Sequence, residues 1–110
     1  MLATLILLIG TLRTEPLVAD QVLTMKAHAR AELLCNKNQW SHDNWLDSFK
    51  DYPYRFAGEN LAKGYGNIAD EFLAWKASPT HLRNMVNPNF TKTGYATSTC
   101  GISVQLFAGK

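Results

Sequence analysis

Only two cysteines occur in the 110 residues, Cys35 and Cys100, and neither belongs to a Cys-x-x-Cys pair. A redox dithiol and a zinc ribbon are therefore disfavoured. Charge of one sign is equally sparse: 11 basic and 9 acidic residues are dispersed along the chain for a formal net charge of +2. No Lys/Arg cluster is present to track a phosphate backbone, so nucleic acid is not an expected partner. No apolar run reaches the ~20 residues of a membrane-spanning helix. Low-complexity tracts, long linkers and internal repeats are absent too. What remains is an ordinary globular composition, 46% hydrophobic and 18% charged, long enough for one domain (residues 1–110) with a real core.

The apolar opening MLATLILLIG has the length of a signal-peptide core but lacks a basic start and a small-x-small cleavage site. Residues 1–13 thus read as a signal-peptide remnant or as a clipped first helix. Helical spacing of Leu2, Leu5, Ile6 and Ile9 favours a buried helix ending near Arg13, in a chain that begins where a longer precursor was cut or where its start was placed. Asp20 is placed to cap a second helix running to about Cys35. Val22, Met25, Ala29 and Leu33 form its core stripe, widened by Leu23, Ala27 and Leu34. His28 and Arg30 in this helix read as solvated or edge residues. Cys35 at the helix end and Cys100 in a hairpin turn are either two inert thiols or a bridge. The bridge is the reading taken here, and with it an oxidising compartment.

A short helix is expected near Trp45–Lys50, with His42 and Asp43 at its entrance and Asp43 as a cap. Asn67 caps a helix carrying Ile68, Phe72 and Trp75. Ser78, as N-cap, and Pro79 open another helix with His81 in its first turn, where the helix N-terminus discourages protonation of the imidazole. After Thr91 the pattern alternates with period two through a turn at residues 98–101, which predicts an antiparallel hairpin. Helices first and strands late indicate an α+β layer arrangement.

Two imidazoles and a carboxylate, His42, Glu59 and His81, stand out because each sits in a short, polar, turn-rich segment. Such a set could converge on a divalent metal or a polar ligand. Residue type alone does not establish convergence, since a scattered histidine is more often a surface or core-edge residue.

Four motifs follow one another along the chain: Trp40-Ser-His-Asp, Gly58-Glu-Asn-Leu-Ala-x-Gly, Trp75-Lys-Ala-Ser-Pro-Thr-His-Leu-Arg-Asn-Met and Asn87-Pro-Asn-Phe-Thr-Lys-Thr-Gly. In order and spacing they resemble the bacterial-type CAP (SCP) domain, the superfamily of cysteine-rich secretory proteins, antigen 5 and plant pathogenesis-related proteins. The resemblance runs from about Leu2 to Phe107. It implies an α-β-α sandwich with a small antiparallel sheet between helical layers, and a central cavity in which His42 and His81 bind zinc or another divalent ion. Glu59 would serve as a water-binding or outer acceptor, with Asp43, Asn60 and Ser78 as cavity neighbours. Asn60 is expected to hydrogen-bond the backbone beside Glu59. Animal and plant members often carry a second Glu where this chain has Ser78, so the tetrad is reduced to a triad.

Three functions follow from that resemblance. The first is a secreted or cell-surface binding module whose metal cavity supports recognition of an extracellular lipid, glycan, peptide or protein. The second is a metal-dependent peptidase or esterase with Glu59 as general base. In the third, the domain is an extracellular scaffold in which the trio only tethers loops. Two His are fewer than the usual three protein ligands of catalytic zinc, so an enzyme is the less favoured reading.

Overall fold

Every residue of the last strand, Ile102–Gly109, is buried, although its sequence alternates apolar with polar. The computed structural model, which describes all of residues 1–110, explains this by covering both faces of the sheet. The elements are α1 (Leu2–Gly10), β1 (Val18–Ala19), α2 (Gln21–Asn36), a short 3-10 helix (Trp45–Phe49), β2 (Phe56–Lys63), α3 (Ile68–Lys76), α4 (Pro79–Val86), β3 (Lys92–Thr97) and β4 (Ile102–Gly109). The strand order is β1-β3-β4-β2. β2, β4 and β3 are antiparallel neighbours, as the alternation predicts. The two-residue β1 adds in parallel beside β3, so the sheet is mixed rather than wholly antiparallel.

One face of the sheet carries Leu61, Val104, Leu106 and Ala108, packed with Leu23, Ala27, Ala31 and Leu34 of α2. The other carries Tyr95 and Phe107, packed with Leu5 and Ile9 of α1, Phe72 and Trp75 of α3 and Met85 of α4. The molecule is an α-β-α sandwich, and its opening apolar segment is a helix built into one outer layer.

The face of α2 differs from expectation. Val22, Met25 and Leu33 are exposed, while the buried stripe is Leu23, Ala27, Arg30, Ala31 and Leu34. Small side chains let the helix lie close on the sheet. At Gly94 of β3 a Cβ would come within 2.2 Å of the Thr24 backbone nitrogen, so backbone meets backbone there. Asp20 caps α2 as predicted, accepting from the Leu23 amide, and Asn67 caps α3 through the Asp70 amide. Cys35 and Cys100 form a disulfide with Cα atoms 6.0 Å apart.

β2 is an edge strand, and its outward backbone is covered rather than bare. The Trp75 indole donates to Leu61 O at 3.0 Å, and Asn84 Nδ2 donates to Glu59 O at 3.2 Å. An edge sealed in this way has fewer groups to offer a stray strand. It also fixes α3 and α4 beside Glu59.

Candidate functional site

Glu59 lies in the middle of β2, not in a turn. Its register partner is Leu106, so its side chain points to the α2 face. Gly58, just before it, admits the Phe90 ring: a Cβ there would stand 2.8 Å from Phe90 Cζ.

The Glu59 side chain is 1% exposed and both its oxygens are engaged. Arg30 Nε donates to Oε2 at 2.9 Å, and Arg30 Nη2 makes a longer contact of 3.4 Å to Oε1. His42 Nδ1 lies 2.8 Å from Oε1. A carboxylate only accepts, so Nδ1 carries the hydrogen, and in the neutral tautomer Nε2 keeps its lone pair. Arg30, expected at a solvated edge, is thus the central cation of the site. The signal for it was weak, a lone charged residue within an apolar helical stripe. Removing a charge from water is tolerated only when it is paired and hydrogen-bonded, and Glu59 supplies that partner.

His81 sits in the first turn of α4, where its Nδ1 is 2.8 Å from Ser78 Oγ and its ring stacks on Trp75 with centroids 6.3 Å apart. Ser78 occupies the N-cap position, but its hydroxyl makes no capping bond and goes to the imidazole instead. Burial pushes the His81 pKa below its ordinary value, and the nearby His42 lowers it further. The neutral ring anticipated from the helix N-terminus therefore has burial as its main cause. Neutral imidazole is the form that coordinates metals.

Asn60 is fully buried and does not bond the backbone beside Glu59. Its Nδ2 donates to His81 O at 3.2 Å, and its Oδ1 accepts from Asn84 Nδ2 at 2.9 Å. Asn84, three residues after His81, was not singled out from the sequence, yet it ties α4 to β2 at two points. Asp43 is exposed and caps nothing: Asn44 holds the N-cap position of the 3-10 helix, without a side-chain bond. Asp43 lines a separate groove with Arg30. The cavity itself, about 260 Å³, is bounded by His42, Trp45, Ala57, Gly58, Glu59 and Asn84. Of the three tryptophans, Trp75 is core, Trp45 is cavity wall and Trp40 is exposed, with Lys63 Nζ 5.9 Å from its ring centroid.

No three His, Cys, Asp or Glu side chains converge in a way that would hold a metal ion. The donor set is two imidazoles, each fixed at Nδ1 by a neighbour and with no hydrogen-bond partner at Nε2. Orientation of a histidine through its second nitrogen is the usual support for a coordinating one. His42 bounds the cavity and His81 is not among its bounding residues, so the chemistry of two oriented imidazoles, rather than a converged ligand set, is what would suit a divalent ion.

The family model described as the cysteine-rich secretory protein family, CAP, matches residues 11–107. The uncharacterized protein YkwD of Bacillus subtilis (strain 168) is 35% identical over 104 residues, covering 87% of this chain and 40% of its own length. Among solved structures, an extracellular protein containing an SCP domain from Bacillus anthracis str. Ames superposes with a TM-score of 0.79 at 25% identity. That match covers 86% of this chain and 34% of the other. An outer surface protein from Borrelia burgdorferi matches with a TM-score of 0.84 at 23% identity, over 98% of this chain and 88% of its own. A cysteine-rich secretory protein from Staphylococcus aureus subsp. aureus Mu50 matches with a TM-score of 0.85 at 14% identity, over 98% and 38%. The latter two similarities concern the fold alone. The chain spans less than half the length of the two Bacillus relatives and the Staphylococcus protein.

Proposed function

The chain belongs to the cysteine-rich secretory protein (CAP) family, and on that premise we propose that it is an extracellular binding module whose cavity presents a divalent ion, of zinc type, between His42 and His81. The observation that carries this reading is the engagement of both Glu59 oxygens, by Arg30 and by His42. A general base needs an oxygen available to a water or substrate proton. Glu59 instead orients the His42 ring and leaves Nε2 to coordinate, while Ser78 orients the His81 ring, donating to or accepting from its Nδ1. Bound there, the ion would supply a Lewis-acidic point of attachment for a polar group of a partner. Trp45 and Asn84 would shape the approach to it.

Export of the domain is supported by its disulfide, since such bridges persist in oxidising compartments. The Bacillus anthracis relative is itself described as extracellular. The partner is an extracellular lipid, glycan, peptide or protein, and its identity rests on surfaces outside the imidazole pair.

Calorimetric titration of the purified domain with zinc near neutral pH tests the proposal. Saturable binding of a single ion is expected, lost in His42→Ala and in His81→Ala. Absence of binding, or binding unchanged in both variants, rejects the metal and leaves the scaffold reading. A peptidase and esterase screen addresses the hydrolase: any activity that drops about a hundredfold or more in Glu59→Gln would establish Glu59 as a base and overturn the binding module.

A further inference from the structure

Gln105 is wholly buried in the middle of the sheet, on the strand β4 that runs between β2 and β3. Its register partners are Asn60 on β2 and Tyr95 on β3. Residues paired in this way share a face of the sheet, here the one covered by α1, α3 and α4. Gln105 Nε2 donates to Thr93 Oγ1 at 3.1 Å, and Thr93 Oγ1 donates its own hydrogen to Leu106 O at 2.8 Å. Thr93 can therefore only accept from Gln105, which fixes the amide with its nitrogen towards Thr93 and its oxygen the other way. That oxygen, Oε1, is the one buried side-chain polar atom of the protein without a hydrogen-bond partner. A buried acceptor left unmade is costly, and such an atom calls for a donor.

The protein has almost no donor left to give on this face. Trp75 Nε1 is spent on Leu61 O, and the Nδ2 hydrogens of Asn84 go to Glu59 O and Asn60 Oδ1. The hydroxyls of Tyr95 and Ser103 are drawn into a cluster with Glu71 and Thr97. What remains is Asn60, as fully buried as Gln105 and directly across from it. Its Nδ2 carries two hydrogens, and His81 O takes one of them. The other makes no bond, to Gln105 Oε1 or to anything else.

We propose that a buried water bridges Gln105 Oε1 and Asn60 Nδ2, and that this hydration site supports the wall of the imidazole cavity. Water donates to Oε1 and accepts from the spare Asn60 hydrogen, so one molecule satisfies both groups. A cation would suit the oxygen but oppose the Asn60 hydrogen, and an apolar molecule would satisfy neither. Asn60 in turn holds His81 O and Asn84, and Asn84 bounds the cavity. The water thus completes a polar chain from the middle of the sheet through Asn60 and Asn84 to the cavity wall. None of these bonds involves an ion between the histidines.

Two measurements test the site. Crystallographic density of the wild-type chain is expected to show a water within about 3.2 Å of both atoms. In solution, magnetic relaxation dispersion of the water oxygen counts long-lived internal waters, and that oxygen does not exchange with the nearby Thr93 hydroxyl. Gln105→Met keeps the length of the side chain without its acceptor. It is expected to hold about one long-lived water fewer than the wild type, with the Asn84 side-chain amide signals shifted. A direct Gln105–Asn60 hydrogen bond in the density, with no water between, overturns the proposal. So does an equal count of long-lived waters in the wild type and Gln105→Met. Unmoved Asn84 signals overturn the link to the cavity wall. Should Gln105→Met fail to fold, the wild-type density decides alone.

Discussion

Arg30 and Glu59 form the charge pair on which the cavity depends, and its energetics follow from burial. Removing one partner leaves the other uncompensated in a region of low polarity, whereas removing both leaves nothing to compensate. Arg30→Ala is accordingly expected to lower the unfolding free energy by about 3–5 kcal/mol, measured by urea denaturation. The double replacement Arg30→Leu with Glu59→Leu should recover most of that loss. A double variant as unstable as the single one would mean that the pair contributes more than mutual neutralisation. The role of Arg30 was not legible in the sequence, because a buried Arg looks like a solvated one until its partner 29 positions away is known. Glu71 is a second buried carboxyl, 2% exposed, accepting from the Tyr95 hydroxyl on the opposite face of the sheet. Burial raises its pKa above the ordinary 4.5, against hydrogen bonds from Tyr95 and Ser103 that lower it. Below 4.5 both folded and unfolded forms hold the proton. As pH rises through the raised folded value, the folded protein must give up a proton that it holds more tightly than the unfolded chain does, so stability is lost. The unfolding free energy of the wild type minus that of Glu71→Gln should therefore fall as pH rises from 4.5 through that value, then level off. A flat or rising difference across that range would mean that the carboxyl is not held protonated by burial.

At the scale of elements, the site is positioned by how closely α2 approaches the sheet. Gly94 is the point of contact, with Leu23 and Thr24 backbone atoms where its side chain would begin. A methyl group there cannot be absorbed by a flexible side chain, so the helix must lift. Gly94→Ala is expected to cost at least about 1–3 kcal/mol, the ordinary cost of overpacking, and to move Arg30 away from Glu59. Chemical denaturation reads the first effect, and NMR shifts of Arg30 Nε–H and the His42 ring read the second. Native stability with unchanged shifts would show that α2 is not seated at Gly94. The caps of α2 and α3 and the hairpin of β3 and β4 were readable because they depend on local chemistry, Asp20 and Asn67 accepting nearby amides and polar residues alternating with apolar ones. The buried face of α2 was not, because apolar side chains lie on two of its faces. The choice went to Ala27, Ala31 and Leu34 over the bulkier Val22, Met25 and Leu33 through contact with the sheet. The strand identity of Glu59 was hidden for a similar reason: Gly58-Glu59-Asn60 reads as a turn until β4 pairs with it.

Across the whole molecule, the ordered motifs announced the sandwich, in which His42 bonds Glu59 while His81 is held by Ser78 and Trp75. The parallel addition of β1 and the direction in which Asp43 faces depend on long-range packing that no local pattern encodes. The Cys35–Cys100 bridge is the one covalent crosslink between the α2 layer and the sheet, and it closes a separation of 65 residues. A crosslink over a loop of that length contributes about 4 kcal/mol, chiefly by restricting the unfolded chain. It is anchored well away from the imidazoles. Ile102, just after the turn that holds Cys100, pairs with Lys63, and Lys63 lies four strand residues from Glu59, about 13 Å. The crosslink should therefore support stability without shaping the cavity. Cys35→Ser with Cys100→Ser is expected to lower the unfolding free energy by about 4 kcal/mol in urea titrations. At low urea, where the variant remains folded, its zinc affinity by calorimetry should equal that of the disulfide-bonded protein. Loss of zinc binding in a variant still folded by circular dichroism would show instead that the bridge holds the layers at the separation the two histidines require.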